Sequence, residues 1–505
     1  MLAHSFKKRT WRRVLQLPPS TLVILCTLAA QLLFYCNFTL RYSLATHLTK
    51  PFQTFATLSQ FAPEGAWLYV LTFALTFALY WLGYRFGAVR LRKTRCLWLI
   101  VCLSALGHAI LLPMYPLDAA DVYDYIIRAR MTAVYGMNPL RDVPRQLPDD
   151  PFYRFVGWKS VPSAYGGAWE LLAALTTRIA GDDVLANVVA FKVLASMGSL
   201  IGALGVYAAL RAVAPRRAIS GTYLFALNPL LLYMTAGRAH NDSLMVACVA
   251  WAMAFLVHRW YVLSLLSLIL GALIKFIPLM LAPVIVLAAW QQLRVWERLR
   301  VFALSAALGI ALCIAAYAPF WFGIETLRVE RRASMYSGSM PTIIRQLIAP
   351  ILDGKNAESW VIPTPNTNAL LANSTLALFA ACYLVFLWQA WRAKGEIWQA
   401  LQAMLSILFA YLLIAALWFM AWYALWLLPF AALLRRSWLR CAALWFTYLV
   451  TWQGLLYNYV TLRPSAFAPI PWRDLLPVAS YMLPIWTMIV WHTLRRARAW
   501  RLVKA

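Results

Sequence analysis

ISGTYLFALNPLLLYMTA (219–236) runs into GRAHND (237–242), and that into SLMVACVAWAMAFLV (243–257). Two apolar runs are separated by six residues, and four of the six ionise or hydrogen-bond through their side chains. About 18 apolar residues are enough to cross a bilayer as a helix. The pattern repeats outward in both directions, at Thr21–Leu40, Trp67–Tyr84, Leu97–Met114, Phe302–Trp321, Leu370–Trp391 and Leu475–Trp491. Of 505 residues, 63% are hydrophobic, against roughly 45–50% in a soluble domain. The 25 Trp and 24 Tyr suit a protein with two membrane interfaces. These observations predict an all-α polytopic membrane protein, a single transmembrane domain over 1–505. Spans are expected near 20–40, 66–84, 97–115, 186–210, 218–236, 243–257, 260–274, 276–290, 301–321, 370–391, 398–417, 419–434, 441–460 and 475–494, about 12–14 in all. The short pairs around Lys275 and Trp422 could instead re-enter the membrane. Thr21–Leu40 follows a basic stretch but has no small-residue cleavage site, so it reads as a retained first span.

The net charge of +28 would suit nucleic acid, but its distribution argues otherwise. Alternate loops fall into two sets. One set contains the N-terminus, 85–96, 211–217, 258–259, 291–300, 392–397, 435–440 and the C-terminus. It has 27 Lys and Arg against two acids, Glu297 and Glu396. The other set has 18 basic residues and 16 acids. Short, basic, nearly acid-free loops mark the cytoplasmic side. The expected topology is therefore an inner-membrane protein with both termini cytoplasmic and no nucleic-acid partner. The long loops, 116–185 and 322–369, fall on the outer side. Loops of this length are often functional. The eight Cys are scattered singly with no CxxC pair and read as small buried hydrophobes.

Asp118, Asp121 and Asp124 open the first long loop at a spacing of three, with Arg128 four residues further and Arg130 beyond it. On a helix these carboxylates would share roughly one face. Tyr123, Ile126, Ile127 and Met131 would form an apolar side lying on the membrane. Clustered carboxylates can raise one pKa, hold a divalent cation, or set a base against a substrate hydroxyl. They also suit an ordinary helix N-terminus. Gly136-Met137-Asn138-Pro139 is a chain reversal. Tyr165-Gly166-Gly167 could bring backbone close to a sugar or make a turn. Arg238, His240, Asn241 and Asp242 crowd the short loop between two spans, where polar groups usually mark a site; helix capping accounts for Asp242 alone. Lys275 and Lys192 sit near outer helix ends, where each could snorkel or meet a lipid-linked phosphate. Glu325, Arg328, Glu330, Arg331 and Arg332 read as a solvated charge run, and Trp422-Tyr423 as a belt anchor. No nucleotide-binding loop or zinc-binding motif is present.

Together these features resemble the GT-C glycosyltransferases, most closely the prokaryotic polyprenol-phosphomannose-dependent mannosyltransferases. The likeness covers roughly 95–290. It rests on Asp121-Val122-Tyr123-Asp124-Tyr125 with Gly136-Met137-Asn138-Pro139, on Leu227-Asn228-Pro229-Leu230 followed by His240-Asn241-Asp242, and on Gly271–Phe276 with its central Lys275. The resemblance implies a GT-C-like bundle whose first outer loop carries amphipathic helices. It also implies inverting transfer of mannose or another hexose from a polyprenyl-phosphate donor to a lipid-linked or glycan acceptor. Asp121 would be the general base, while Arg238 and Lys275 would hold the developing phosphate charge. His240 and Asn241 would orient the donor. Two other readings stay open, a flippase of lipid-linked sugars and a non-catalytic scaffold of a cell-envelope complex.

Overall fold

In lipid every backbone polar group must be satisfied internally, which leaves helices as the economical solution for apolar runs such as these. The computed structural model describes residues 17–48, 52–327, 335–352, 365–461 and 472–504, and it contains no strand among them. The basic residues of 7–13 and the positions Arg328, Glu330, Arg331 and Arg332 lie outside the described residues. The principal helices are α1 (Pro19–Phe34), α2 (Pro63–Leu82), α3 (Arg95–Leu111), α4 (Asp121–Ala133), α5 (Gly167–Ala180), α6 (Val184–Val213), α7 (Ala218–Ala226), α8 (Asp242–Val257), α9 (Tyr261–Ala272), α10 (Ala282–Gln292), α11 (Val295–Tyr317), α12 (Met340–Leu352), α13 (Pro365–Arg392), α14 (Ile397–Ala410), α15 (Leu428–Leu433), α16 (Trp438–Leu449) and α17 (Trp472–Lys504). Among the described residues, seven helical stretches are long and apolar enough to cross a membrane: Pro19–Thr39, Pro63–Arg90, Val184–Val213, Val295–Phe320, Pro365–Arg392, Ile397–Ala415 and Leu475–Arg495. The chain is an all-α polytopic membrane protein.

Shorter apolar helices lie between these stretches along the chain. With its 12 residues, α9 rises about 18 Å, well short of a hydrocarbon core of about 30 Å. The stretch expected to span 419–434 is not a regular helix. Non-helical backbone at 416–420 leads into a 3₁₀ stretch, Ala421–Leu427, and then α15. All of these residues from Ala421 to Leu433 are buried except Tyr423, which is partly so. Irregular backbone is tolerated at membrane depth when protein surrounds it.

Close helix contact sets where the polar turn at 237–242 sits. Helices α6 and α8 pack through small residues on α6. A Cβ at Gly198 would lie 2.9 Å from the Leu244 nitrogen, and one at Gly205 would lie 3.0 Å from the Trp251 nitrogen. Small side chains let backbones approach in membranes, so any larger residue at either position would push α8 outward. The preceding rod breaks after α7. There Asn228 accepts from the Leu230 and Leu231 nitrogens and donates to Thr447 Oγ1 at 3.1 Å. A helical turn from Pro229 and a wide turn through Tyr233–Gly237 then deliver the chain to Arg238.

The structure departs from the sequence expectation at α4 and at Lys192. No apolar side of α4 lies open, since every residue from Val122 to Met131 is buried, packed among neighbours that include α5 and α6. Lys192 is fully buried and meets no lipid phosphate. Its ammonium donates to the carbonyls of Leu111, Leu112 and Met114 at the end of α3, where a helix exposes unpaired acceptors and partial negative charge.

Candidate active site

Because α4 begins at Asp121, Asp118 precedes the helix and the three carboxylates part company. The buried Asp118 accepts from Tyr233 Oη at 2.9 Å and Asn458 Nδ2 at 3.3 Å, with Arg238 Nη1 at 3.5 Å. Burial pushes its pKa up, while Arg238 and Tyr233 pull it down. Asp124 is buried too. It pairs with Arg128 at 3.2 Å and accepts from the Trp158 nitrogen at 3.0 Å. Asp121 keeps 18% of its side chain exposed and lies 3.8 Å from His240 Nδ1.

The turn that faces Asp121 is unusual. Ala239 holds a φ of 60°, a left-handed conformation that costs a non-glycine residue of order 1 kcal/mol or more and tends to persist at functional sites. The residues around it are buried with polar atoms left over. Both ring nitrogens of His240, both amide atoms of Asn241, Asp242 Oδ2 and Arg238 Nε lack a hydrogen-bond partner. More than nine in ten buried polar groups are normally paired, so such a concentration points to a ligand, ordered water or ion. The His240 ring lies flat on Trp422, centroids 3.8 Å apart. Burial, with Arg238 and Lys275 nearby, holds its pKa well below the usual histidine value. The neutral imidazole can therefore donate from one ring nitrogen and accept at the other without adding charge.

Lys275 meets Asp242 Oδ1 at 2.9 Å, and the same oxygen accepts from Trp426 Nε1 at 2.6 Å. Its ammonium also lies 4.6 Å from the Tyr423 ring centre, 5.4 Å from Trp426 and 5.9 Å from Tyr165. The glycine pair sets the position of this lysine. A Cβ at Gly166 would run into the carbonyl of Leu273, and one at Gly167 into that of Ala316. With no Cβ there, the start of α5 hydrogen-bonds to the end of α9: the Gly166 nitrogen donates to Ile274 and the Ala168 nitrogen to Leu273, both at 3.1 Å. The pair thus serves close packing of backbone on backbone rather than contact with a sugar.

Arg128 and Arg130 do not join this cluster. Arg128 donates to the carbonyls of Trp158 and Val161, and Arg130 pairs with Asp150 at 2.7 Å and Asp182 at 2.6 Å. Tyr165 reaches it from the side, its hydroxyl 3.3 Å from that of Tyr125. No three His, Cys, Asp or Glu side chains gather to hold a metal ion among the described residues.

A family model described as alpha-(1->6)-mannopyranosyltransferase, N-terminal domain, matches residues 20–291. The chain belongs to this family. The match covers more than half of the chain and includes Asp118, Asp121, the 237–242 turn and Lys275. Alpha-(1->6)-mannopyranosyltransferase B of Corynebacterium glutamicum is 32% identical over 138 residues, 26% of this chain and 22% of that protein. Alpha-(1->6)-mannopyranosyltransferase A of Mycobacterium tuberculosis is 26% identical over 239 residues, 45% of this chain and 43% of that protein. The chain thus matches less than half the length of either relative. Several members of the candidate site lie beyond the matched region and carry no motif: Trp426, Asn458 and, as a ring packed on His240 instead of a belt anchor, Trp422. Tyr233 lies within the region and was also missed. Only Trp422 had any signal, an aromatic run at an expected turn.

Proposed function

We propose that this chain is a mannosyltransferase that takes mannose from a polyprenyl-phosphate carrier and forms an α-(1→6) linkage to a mannose-containing acceptor. The proposed reaction takes place at the non-cytoplasmic face. The observation that carries the reading is the strained 237–242 turn, whose buried, unpartnered polar atoms stand beside the partly accessible Asp121. The family membership supports the sugar, and the names of the two relatives support the linkage.

In this reading Asp121 takes the proton of the acceptor hydroxyl as that oxygen bonds to the sugar's C1. The C1–O bond to phosphate breaks on the opposite side, and its electron pair leaves with the phosphate. The stereochemistry at C1 inverts. An ammonium has three N–H donors, and Lys275 commits one to Asp242, so others remain to meet the leaving phosphate. Positioned donors that meet charge as it develops contribute strongly to such a step. Arg238 adds positive charge next to the same turn, and Asn241 offers an acceptor and a donor to neighbouring sugar hydroxyls. Asp118, fully engaged by Tyr233, Asn458 and Arg238, serves to hold Arg238. Asp124 serves the loop.

Purified protein incubated with polyprenyl-phosphate mannose and an α-mannoside acceptor should release polyprenyl phosphate and yield a (1→6)-linked product. Transfer from a nucleotide-linked mannose in place of the lipid donor, or no transfer from any lipid-linked hexose in a panel, would overturn the reading.

A further inference from the structure

Trp158 and Trp418 lie in different loops, 260 positions apart, and belong to none of the motifs. Their rings meet edge to face, centroids 5.7 Å apart at 66°. Both are half-buried, and both stand on irregular backbone that is held with unusual care.

The mount of Trp158 is a buried ion pair. Asp124 Oδ1 accepts from the Trp158 nitrogen at 3.0 Å, and Arg128 Nη2 donates to the Trp158 carbonyl at 3.2 Å. Asp124 and Arg128 are themselves paired, with side chains only 4% and 3% exposed. Buried ion pairs add little net stability, and specificity of conformation is a better-supported reason for them. Here the pair fixes both backbone polar groups of one half-buried tryptophan. Trp418 is fixed through its neighbours. The Leu417 carbonyl accepts from the Ser337 nitrogen at 3.0 Å and Ser339 Oγ at 2.7 Å. The Phe419 nitrogen donates to Ser337 at 2.8 Å, and the Phe419 carbonyl accepts from Gln453 at 3.0 Å.

Residues next to each mount lead toward Asp121. A Cβ at Gly157 would lie 3.8 Å from Cβ of Ala120, the residue before Asp121. Four residues after Trp418, Trp422 stacks on His240, whose Nδ1 is 3.8 Å from Asp121. Rigid aromatic side chains present large contact areas at little entropic cost, and their faces suit the C–H surfaces of a sugar ring. A tryptophan that merely anchored the protein at the interface would need neither mount.

We propose that Trp158 and Trp418 form a carbohydrate subsite that holds the acceptor glycan beside Asp121. The assignment to the acceptor rests on the reading of Asp121 as the base. Sugar binding at the rings can be measured without it.

The test uses the full chain in lipid nanodiscs and an α-(1→6)-linked manno-oligosaccharide, without donor. Trp158→Ala and Trp418→Ala should each weaken binding roughly 3- to 10-fold, the worth of one aromatic contact, while the Phe variants retain most of it. In turnover, the acceptor KM should rise while the donor KM holds. Hydroxyl-radical footprinting of the wild-type protein, which is indifferent to whether the variants fold, should show protection of both rings by the oligosaccharide. Absence of protection, or unchanged oligosaccharide affinity in natively melting Ala variants, would overturn the subsite and leave the rings as a lock between two loops. A rise in donor KM instead of acceptor KM would overturn the acceptor assignment. Asp121→Asn should still bind the oligosaccharide. If that variant also turned over normally, the base assignment would fall and the sugar site would stand.

Discussion

The two ends of α4 carry the same kinds of residue and do different things with them. At the C-terminal end, Arg130 pairs with Asp150 and Asp182, and its guanidinium lies 4.9 Å over the Phe152 ring. Tyr135 adds a further hydrogen bond to Asp150. Everything there is answered by protein. At the N-terminal end, Asp121 meets a turn in which His240, Asn241, Asp242 and Arg238 each keep a buried polar atom without a hydrogen-bond partner. Charge density does not distinguish the two ends. The distinction lies in whether the buried polar groups are satisfied, since leaving them unsatisfied costs about 1–3 kcal/mol each.

The comparison would be broken most directly by Asp121→Asn. The variant should lose roughly 10²–10⁴ in transfer rate and melt close to wild type, because a partly exposed side chain at a helix start adds little packing. Full activity in a transfer assay would move the base to another residue. Arg130→Ala probes the opposite end and should do the reverse. It removes the counter-ion of the buried Asp150, which keeps only the hydrogen bonds from Tyr135 and the Phe152 nitrogen; breaking a buried pair costs about 3–5 kcal/mol. The expected result is a lowered melting midpoint in detergent, with any folded protein still turning over. A native melt with lost activity would put Arg130 in the site and erase the contrast.

Lys275→Met sharpens the comparison, since Lys275 answers both to Asp242 and, in our proposal, to the donor. Its side chain is 15% exposed, and Trp426 would still donate to Asp242. The empty protein should therefore lose only about 1–3 kcal/mol, and donor lipid should no longer raise the melting midpoint. Destabilisation with unchanged donor affinity would leave Lys275 a structural partner of Asp242 alone.

A further test, read as a pH dependence, concerns Glu170, buried at the start of α5 with Ser163 Oγ donating to Oε1 and with Oε2 unpartnered. Burial raises its pKa to about 7. A carboxyl raised on folding binds more protons in the folded state, so stability is fullest below the unfolded value. It declines as pH rises toward about 7 and then levels off. Glu170→Gln should flatten that decline and raise the melting midpoint above pH 7 relative to wild type, with little difference near pH 4. A parallel decline in both proteins would assign the pH dependence to another group.

Much of the site was legible because its members sit in short segments. Asp121, the 237–242 turn and Lys275 each lie at the end of an apolar run, where ionisable residues stand out. Asp124, Arg128 and Arg130 are as conspicuous in the sequence, yet each takes protein partners away from the turn. Spacing along a helix could not foresee this, since it depended on α4 starting at Asp121 and on loop residues up to 52 positions away in sequence. The aromatic residues were the least legible. In a chain with 25 Trp, Trp418 has no neighbour in sequence that tells it from a lipid-facing ring, and nothing near Trp158 in its loop pairs it with a ring 260 positions away.

By itself the sequence determined that this protein lies in a membrane as helices. Runs of apolar residues of bilayer length leave no other way to satisfy their own backbone, and that property belongs to each run alone. Which polar groups find partners was decided only by the tertiary structure. Asp118 is answered by Asn458, 340 residues away, and Asp242 by Trp426, 184 residues away. A hydrogen bond requires its two atoms within about 3 Å in the right direction, and only the packed bundle fixes distance and direction between segments so far apart in the chain.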